Sequence, residues 1–287
     1  MTTGPILLAL DVDGTVLRFD GTVSPDVRAA LEQVRDAGAH IVLASGRSVA
    51  ALIPVTVDLG LTSGYAVCSN GAVTCELDPS VAGDPRAGPV LPGEASDTGA
   101  MWNGGGYRLV EVVTFDPGPV LRVLAAELPD ALIAVEDIGV GSRVSAPFPA
   151  GELAGEHMVV SFDELASRPA TRVVLRDPGS TAEEFGEVVA RVGLHEVSYA
   201  IGWSAWMDLT PGGVSKASAL DKVRQRLGVD PSATVAVGDG GNDVEMLAWA
   251  ARGVAMGHAV ASVRDAADEV TGGIDDDGLV PVLRSLL

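Results

Sequence analysis

An unbroken apolar run, Ile6-Leu7-Leu8-Ala9-Leu10, opens the chain and predicts a strand over residues 5–10 that is buried on both faces. Ser24-Pro25-Asp26 then supplies an N-cap, a first-turn proline and an early acid. Val27, Ala30, Leu31 and Val34 recur at the spacing of one helical face, and Gly38 closes that helix. Ile41-Val42-Leu43-Ala44 is a second apolar strand, which makes the unit βαβ and requires a parallel sheet with a right-handed crossover. The same texture returns towards the C-terminus. Ser215 to Leu227 carries Ala219, Leu220, Val223 and Leu227 on one face and stops at Gly228, and Thr234-Val235-Ala236-Val237 is a buried strand. A helix over Asp243–Ala251, a short strand over Gly253–Met256 and a helical stretch over Val260–Ala267 follow. The two ends of the chain therefore share one α/β fold, a doubly wound, mostly parallel Rossmann-like sheet.

Between them the pattern changes. Pro79 to Gly106 is rich in Gly, Pro, Asp and Ser and is too long for an ordinary connection. Beyond it, strands at about 108–115, 131–136, 157–162, 171–176 and 196–209, with helices near 119–128 and 181–192, predict an α+β insert with its own core. The expected division is a core of residues 1–78 and 205–287 and an inserted domain of 79–204. Trp203, Trp206 and Met207 sit where the insert returns to the core, and burial at that junction is a plainer reading than stacking on a ligand. Trp102 and Tyr107 flank the loop glycines, as a lid or as an anchor.

Composition narrows the function. A formal charge of −20 on 287 residues opposes binding to nucleic acid or an anionic membrane, and a phosphate site on such a chain needs local cations. Lysine occurs only as Lys216 and Lys222. No apolar run is long enough for a bilayer-crossing helix, and Met1-Thr2-Thr3 leads straight into a strand without a basic segment, so the expected location is the cytoplasm. Cys68 and Cys75 are too few for a disulfide framework and lack zinc spacing, and His40, His157, His195 and His258 are scattered. Any metal should be held by oxygen.

Four segments carry chemistry, each at the carboxyl end of an expected strand or opening a helix, where open α/β sheets place ligands. In Asp11-Val12-Asp13-Gly14-Thr15, two carboxylates at the end of a buried strand fall on the same side, and their solvation cost calls for a cation or a reaction. A calcium loop would need further oxygen ligands ending in a Glu, and Thr15-Val16-Leu17-Arg18-Phe19 follows instead. In Ala44-Ser45-Gly46-Arg47, free backbone N–H groups and the Ser45 hydroxyl can receive phosphate oxygens. Lys216 opens a helix, where the dipole opposes a cation unless something anionic compensates. Gly238-Asp239-Gly240-Gly241-Asn242-Asp243 is a strand-to-helix loop in which Asp239 can take a metal and Asp243 can do the same or serve the helix dipole. A hard-oxygen site of this kind suits Mg²⁺.

These four segments, in this order, resemble the motifs of the haloacid dehalogenase superfamily in its Asp-x-Asp phosphatase branch. Ser69-Asn70-Gly71-Ala72, Thr210-Pro211-Gly212-Gly213-Val214-Ser215-Lys216, Val254-Ala255-Met256-Gly257 and Asp277-Gly278-Leu279-Val280 are similar to the Cof-like subfamily, whose cap is inserted between the second and third motifs. The resemblance covers about residues 5–77 and 205–287. His258 stands where the subfamily commonly has Asn, and the 79–106 loop is longer than usual there.

The resemblance implies Mg²⁺-dependent hydrolysis of a small phosphomonoester, such as a sugar phosphate, through an aspartyl-phosphate. Asp11 is then the nucleophile and Asp13 the general acid and base. Asp11, the Asp13 backbone, Asp239 and Asp243 serve the metal, and Ser45, Gly46, Lys216 and Asn242 hold the phosphoryl oxygens. Arg47 reaches the substrate or braces the cap. A phosphomutase on the same scaffold and a catalytically silent metabolite-binding protein are the alternatives, the latter weakened by the presence of both Asp11 and Asp13.

Overall fold

The computed structural model describes residues 5–81, 101–102, 105–192, 197–201 and 205–287. The first βαβ unit is β1 (Leu7–Leu10), α1 (Pro25–Asp36) and β2 (His40–Ala44). Ser24 caps α1 by accepting the Val27 N–H at 3.1 Å, and the buried face of α1 is Val27, Ala30, Leu31 and Val34, the four positions picked out by their spacing. α2 (Val49–Asp58) leads to β3 (Gly64–Cys68), which reverses through the turn at Ser69–Gly71 into β4 (Val73–Leu77). β5 (Met101–Trp102) and β6 (Gly105–Val112) follow. The insert supplies α3 (Gly118–Glu127), β7 (Leu132–Asp137), β8 (Gly141–Val144), β9 (Glu156–Val159), α4 (Phe162–Leu165), β10 (Val173–Arg176), α5 (Ala182–Val192), β11 (Val197–Ile201) and β12 (Trp206–Pro211). The chain closes with α6 (Lys216–Leu227), β13 (Thr234–Gly238), α7 (Val244–Trp249), β14 (Arg252–Ala255), α8 (Ala261–Arg264), β15 (Glu269–Val270) and α9 (Leu279–Arg284).

The larger sheet runs β15-β14-β13-β1-β2-β3-β4-β6-β5, parallel from β15 to β3 and antiparallel beyond. Its central strand explains the opening apolar run. Leu8 and Leu10 belong to the cluster that holds α1 and α9, while Leu7 and Ala9 belong to the one that holds α6 and α7. A strand covered on both faces has no polar side to show, and each fully buried leucine stabilises it by about 2 kcal/mol. The smaller sheet runs β11-β12-β10-β7-β8-β9 and is antiparallel except for β8 beside β9. Leu121, Leu124, Val135, Leu175, Phe185 and Leu209 are part of its own core.

Three local expectations change. The strand expected at 108–115 in the insert is β6, which pairs with β4 in the larger sheet; its Tyr107 joins the main core and is an anchor, not a lid. The single strand expected at 196–209 is two, β11 and β12, paired antiparallel with Val197 opposite Pro211, because the apolar texture continues through both arms of the hairpin. β8 and α4 escape a reading by hydropathy: β8 carries Arg143, satisfied internally by Asp137 at 3.1 Å and the Glu164 carbonyl at 2.8 Å, and α4 is a single turn with a Ser161/Glu164 capping box. Most of the 79–106 loop, and Trp203, lie outside the described residues.

Candidate active site

β1 lies between β13 and β2, so the chain leaves it in opposite directions and a crevice opens at the carboxyl ends of these strands. Asp11 follows β1, Ser45 follows β2, Asp239 follows β13 and Lys216 is the first residue of α6. Asp11, Asp239 and Asp243 each direct a carboxylate oxygen into one cluster whose atoms lie within 4.8 Å of one another. All three are buried, as is Lys216, whose Nζ donates to Asp11 Oδ1 at 2.5 Å and to Asp243 Oδ1 at 2.6 Å. Asp243 Oδ2 accepts the N–H groups of Asp239 at 3.0 Å and Gly240 at 2.9 Å, which folds the loop so that Asp239 faces Asp11. Asp239 also accepts the Thr15 hydroxyl at 3.1 Å and lies 3.3 Å from His258 Nε2. Because His258 Nδ1 accepts the Ile274 N–H at 3.2 Å, a neutral imidazole carries its proton on Nε2 and donates it to Asp239.

Three buried carboxylates against one ammonium leave negative charge in a place that disfavours it. Burial, then Asp243 and Asp239, push the Asp11 carboxyl well above the ordinary carboxylate range in spite of Lys216. Burial and then Asp243 raise Asp239 as well. For Lys216 burial opposes the charge, but Asp11 and Asp243 together outweigh it and keep the ammonium protonated. A divalent cation among these oxygens would relieve the surplus, and all-oxygen donors fit Mg²⁺ or Ca²⁺ better than Zn²⁺. The buried acidic trio is thus suited to holding a metal.

Asp13 lies nearer the mouth and is gripped by Arg47 in a two-point ion pair, Nε to Oδ2 at 2.8 Å and Nη2 to Oδ1 at 2.6 Å. The Ser45 hydroxyl accepts the Arg47 N–H at 3.1 Å, and Asn242 Nδ2 donates to Asn70 Oδ1 at 2.8 Å. Gly46 is closely packed: a Cβ there would sit 3.2 Å from the Asn70 amide and 3.4 Å from Asp208, so those side chains would have to give way by a few tenths of an ångström. Asp11, Asp13, Ser45, Arg47, Asp239 and Asn242 line one cavity of about 660 Å³. Its far wall comes from the insert and includes Arg172, Trp206 and Asp208.

Gly14 is the hinge of the first motif. Its φ is +87°, and a Cβ on it would collide with the Asp239 carboxylate. Gly14→Ala is therefore expected to cost about 1–3 kcal/mol in backbone strain. It should also weaken Mg²⁺ binding by about tenfold or more through displacement of Asp239. Thermal melts and calorimetric titration with Mg²⁺ read the two effects.

Several residues of this site carry no signal of their own in the sequence. Thr15 and Asn70 stand inside quoted motifs without a role assigned, and His258, grouped with scattered histidines, proves to touch Asp239. On the insert, Arg172 Nε donates to Asp208 Oδ1 at 2.7 Å, and burial raises the Asp208 carboxyl despite that partner. The Arg172 guanidinium lies 6.0 Å from the Trp206 ring, which meets Phe148 edge-on at 6.3 Å. Trp206, half-buried, packs within the insert and lines the cavity instead of being buried at a domain junction, whereas Met207 is buried in the core of the insert.

The structure is thus an α/β core with an inserted α+β domain, and an acidic trio and a lysine meet at the switch point of its sheet. The chain belongs to the haloacid dehalogenase-like hydrolase family, which matches residues 8–81 and 154–283. It is 26% identical to the 5-amino-6-(5-phospho-D-ribitylamino)uracil phosphatase YitU of Bacillus subtilis, over 99% of this chain and 98% of that protein. It is equally 26% identical to the pyridoxal phosphate phosphatase YbhA of Escherichia coli, over 98% of each. Among solved structures, the subclass IIB sugar phosphatase BT4131 superposes with a TM-score of 0.77 at 23% identity, covering 98% of this chain and 100% of that one. BT1666 from Bacteroides thetaiotaomicron does so with a TM-score of 0.72 at 27% identity, covering 99% and 96%. The chain is a phosphatase of the haloacid dehalogenase type.

Proposed function

We propose that this phosphatase hydrolyses a small phosphomonoester with a neutral, polar leaving group, most simply a sugar phosphate, through a phosphorylated Asp11. The observation that carries the reading is the gathering of Asp11, Asp239 and Asp243 oxygens within 4.8 Å, with Lys216 at 2.5 Å from Asp11 and 2.6 Å from Asp243, beside the Asp13–Arg47 pair. Lys216 holds Asp11 Oδ1, which leaves Oδ2 to attack phosphorus. The ester oxygen leaves with the bonding electrons and takes the proton of Asp13; Asp13, now a carboxylate, removes a proton from the water that attacks phosphorus, and orthophosphate and free Asp11 result. Before this, Arg47 must exchange Asp13 for the phosphoryl oxygens, because both Asp13 oxygens are engaged by the guanidinium and neither is free to meet the ester oxygen. Ser45, the Gly46 backbone, Asn242 and Lys216 are the remaining phosphoryl donors. Mg²⁺ held by Asp11, the Asp13 carbonyl, Asp239 and, through Asp243, the loop behind it would supply charge neutralisation for the phosphoryl group.

The wall from the insert supports the substrate class. Among the described residues that line the cavity from the insert, the one arginine, Arg172, is committed to Asp208, which leaves no unpaired cation there for a second anionic group. Relatives named for pyridoxal phosphate and a phosphoribitylamino-uracil act on small monoesters of that kind. The insert, which in sheet pairing runs from α3 to β12 and not over the 79–204 expected from the sequence, acts as a cap that excludes water from the cavity. No helix among the described residues is long and apolar enough to cross a membrane, and the cytoplasm is the location that goes with such metabolites.

Orthophosphate release from a panel of monoesters, para-nitrophenyl phosphate included, tests the proposal. Turnover with Mg²⁺ and none with a chelator is expected. Absence of release across the panel, or transfer to a second ester without free phosphate, overturns it. The metal also has a stability signature. The folded, metal-free protein holds protons on Asp11 and Asp239 more tightly than the unfolded chain does, so their contribution to stability falls as pH rises above the ordinary carboxylate range. Mg²⁺ competes with those protons and should stabilise most at neutral pH. At a hundredfold excess over its dissociation constant the gain is about 2.7 kcal/mol, a rise of roughly 5–10 °C in Tm, shrinking towards pH 4.5 in paired melts.

A further inference from the structure

Glu136 lies on β7 of the insert, yet two of the three donors to its buried carboxylate belong to the core. Oε2 accepts the Ser69 hydroxyl at 2.6 Å and the Thr171 hydroxyl at 3.0 Å, and Oε1 accepts the Val49 N–H at 3.3 Å. Burying a carboxylate against neutral donors is costly unless those donors need it. Here they do. α2 begins at Val49 with Ser48 making no side-chain cap and with no acid in its first turn, so the positive end of that helix receives its negative partner from another domain. The turn at Ser69–Gly71 needs holding as well: Ser69, Asn70 and Gly71 sit at φ 50°, 53° and 102°, a run of left-handed residues of which two carry side chains. Such strain persists only where surrounding contacts enforce it.

Both anchored points are tied to the second motif. Ser69 N donates to the Arg47 carbonyl at 2.8 Å and Asn70 N to the Ser45 carbonyl at 3.0 Å, and Val49 follows Arg47 by two residues. One carboxylate thus clamps the chain after Arg47 and the turn lying against Ser45–Arg47. Asn70, in that same turn, receives the Asn242 amide, so the fourth motif is tied to the clamped turn too. We propose that Glu136 is a positioning residue of the phosphoryl site: it docks the insert on the core and, in doing so, sets the geometry of Ser45, Arg47 and Asn242. The proposal rests on the phosphoryl-site reading of those three residues.

The test is affinity for inorganic phosphate, measured by calorimetry with Mg²⁺ present and independent of turnover, together with KM on para-nitrophenyl phosphate. Glu136→Ala is expected to raise the phosphate dissociation constant and KM together by about tenfold, the scale of sub-ångström misplacement of binding groups. Glu136→Gln keeps an acceptor for Val49 and an amide that the two hydroxyls can accept from, so it should stay within about threefold of the parent. A purely structural role predicts a lower Tm with phosphate affinity and KM unchanged, and that result overturns the proposal. If Glu136→Ala does not fold, Ser69→Ala removes one arm of the clamp; a phosphate affinity equal to the parent's would overturn it equally. Failure of the parent to turn over any monoester defeats the proposed function instead, while the comparison of phosphate affinities still decides the role of Glu136.

Discussion

Asp11→Asn is expected to lower phosphate release by about 10⁴-fold or more and to raise, not lower, the melting temperature of the metal-free protein. The first effect follows from chemistry: an amide of the same shape cannot form the acyl-phosphate, and groups that act as a unit lose nearly everything when one is removed. The second follows from the charges around it. Burial, Asp243 and Asp239 all resist ionisation of the Asp11 carboxyl, so replacing it with a neutral isostere removes a like-charge repulsion from the buried trio. Lys216 keeps Asp243 at 2.6 Å and is not left unpaired. Phosphate release with Mg²⁺ and melts in chelator measure the two sides. A variant that retains turnover within tenfold removes Asp11 from the chemistry. One that melts well below the parent shows that its carboxylate stabilises the fold instead.

The first βαβ unit was legible because each of its instructions is local: a cap at Ser24, a face at Val27, Ala30, Leu31 and Val34, and a strand whose alternate residues feed two helical layers. The convergence of Asp11, Ser45, Lys216 and Asp239 was legible for a related reason, since each sits one step beyond a strand or at the start of a helix and doubly wound topology brings such ends together. What stayed hidden were the pairings between such ends and the loops beside them. Asn242 meets Asn70 across 172 residues, Glu136 meets Ser69 across 67 and Arg172 meets Asp208 across 36, and no periodicity in hydropathy encodes which polar side chain answers which. His258 is the instructive case. Its place one step beyond Val254–Gly257, where the subfamily commonly has Asn, assigned it no role, and only the β14–α8 connection, folded back to within reach of Ile274, turns its Nε2 towards Asp239.

Lys216→Met should cost about 3–5 kcal/mol of stability at neutral pH in the metal-free protein, the penalty for leaving buried carboxylates without their cation. Methionine fills a similar volume, so the loss is electrostatic and not a cavity effect. Turnover should fall about 10²–10³-fold, because in the proposed reaction the ammonium is also a preorganised charge for the phosphoryl group. The pH dependence separates charge from packing. Lys216 in the parent protein stays protonated well beyond neutral, so its own titration contributes nothing to changes between pH 4 and 8. Without it, Asp11 loses the one neighbour that favours its charge and binds protons still more tightly in the folded state, while its unfolded affinity stays the same. Folded values above unfolded ones mean that stability drops as pH rises and returns as pH falls towards the ordinary carboxylate range. The deficit of the variant, measured by urea unfolding in chelator, should therefore be large at pH 7.5 and small near pH 4.5, and Mg²⁺ should recover part of it at the higher pH. An equal deficit at both pH values would mean that the Lys216 stem, not its charge, supports the fold, and the electrostatic account of the acidic trio would fall with it.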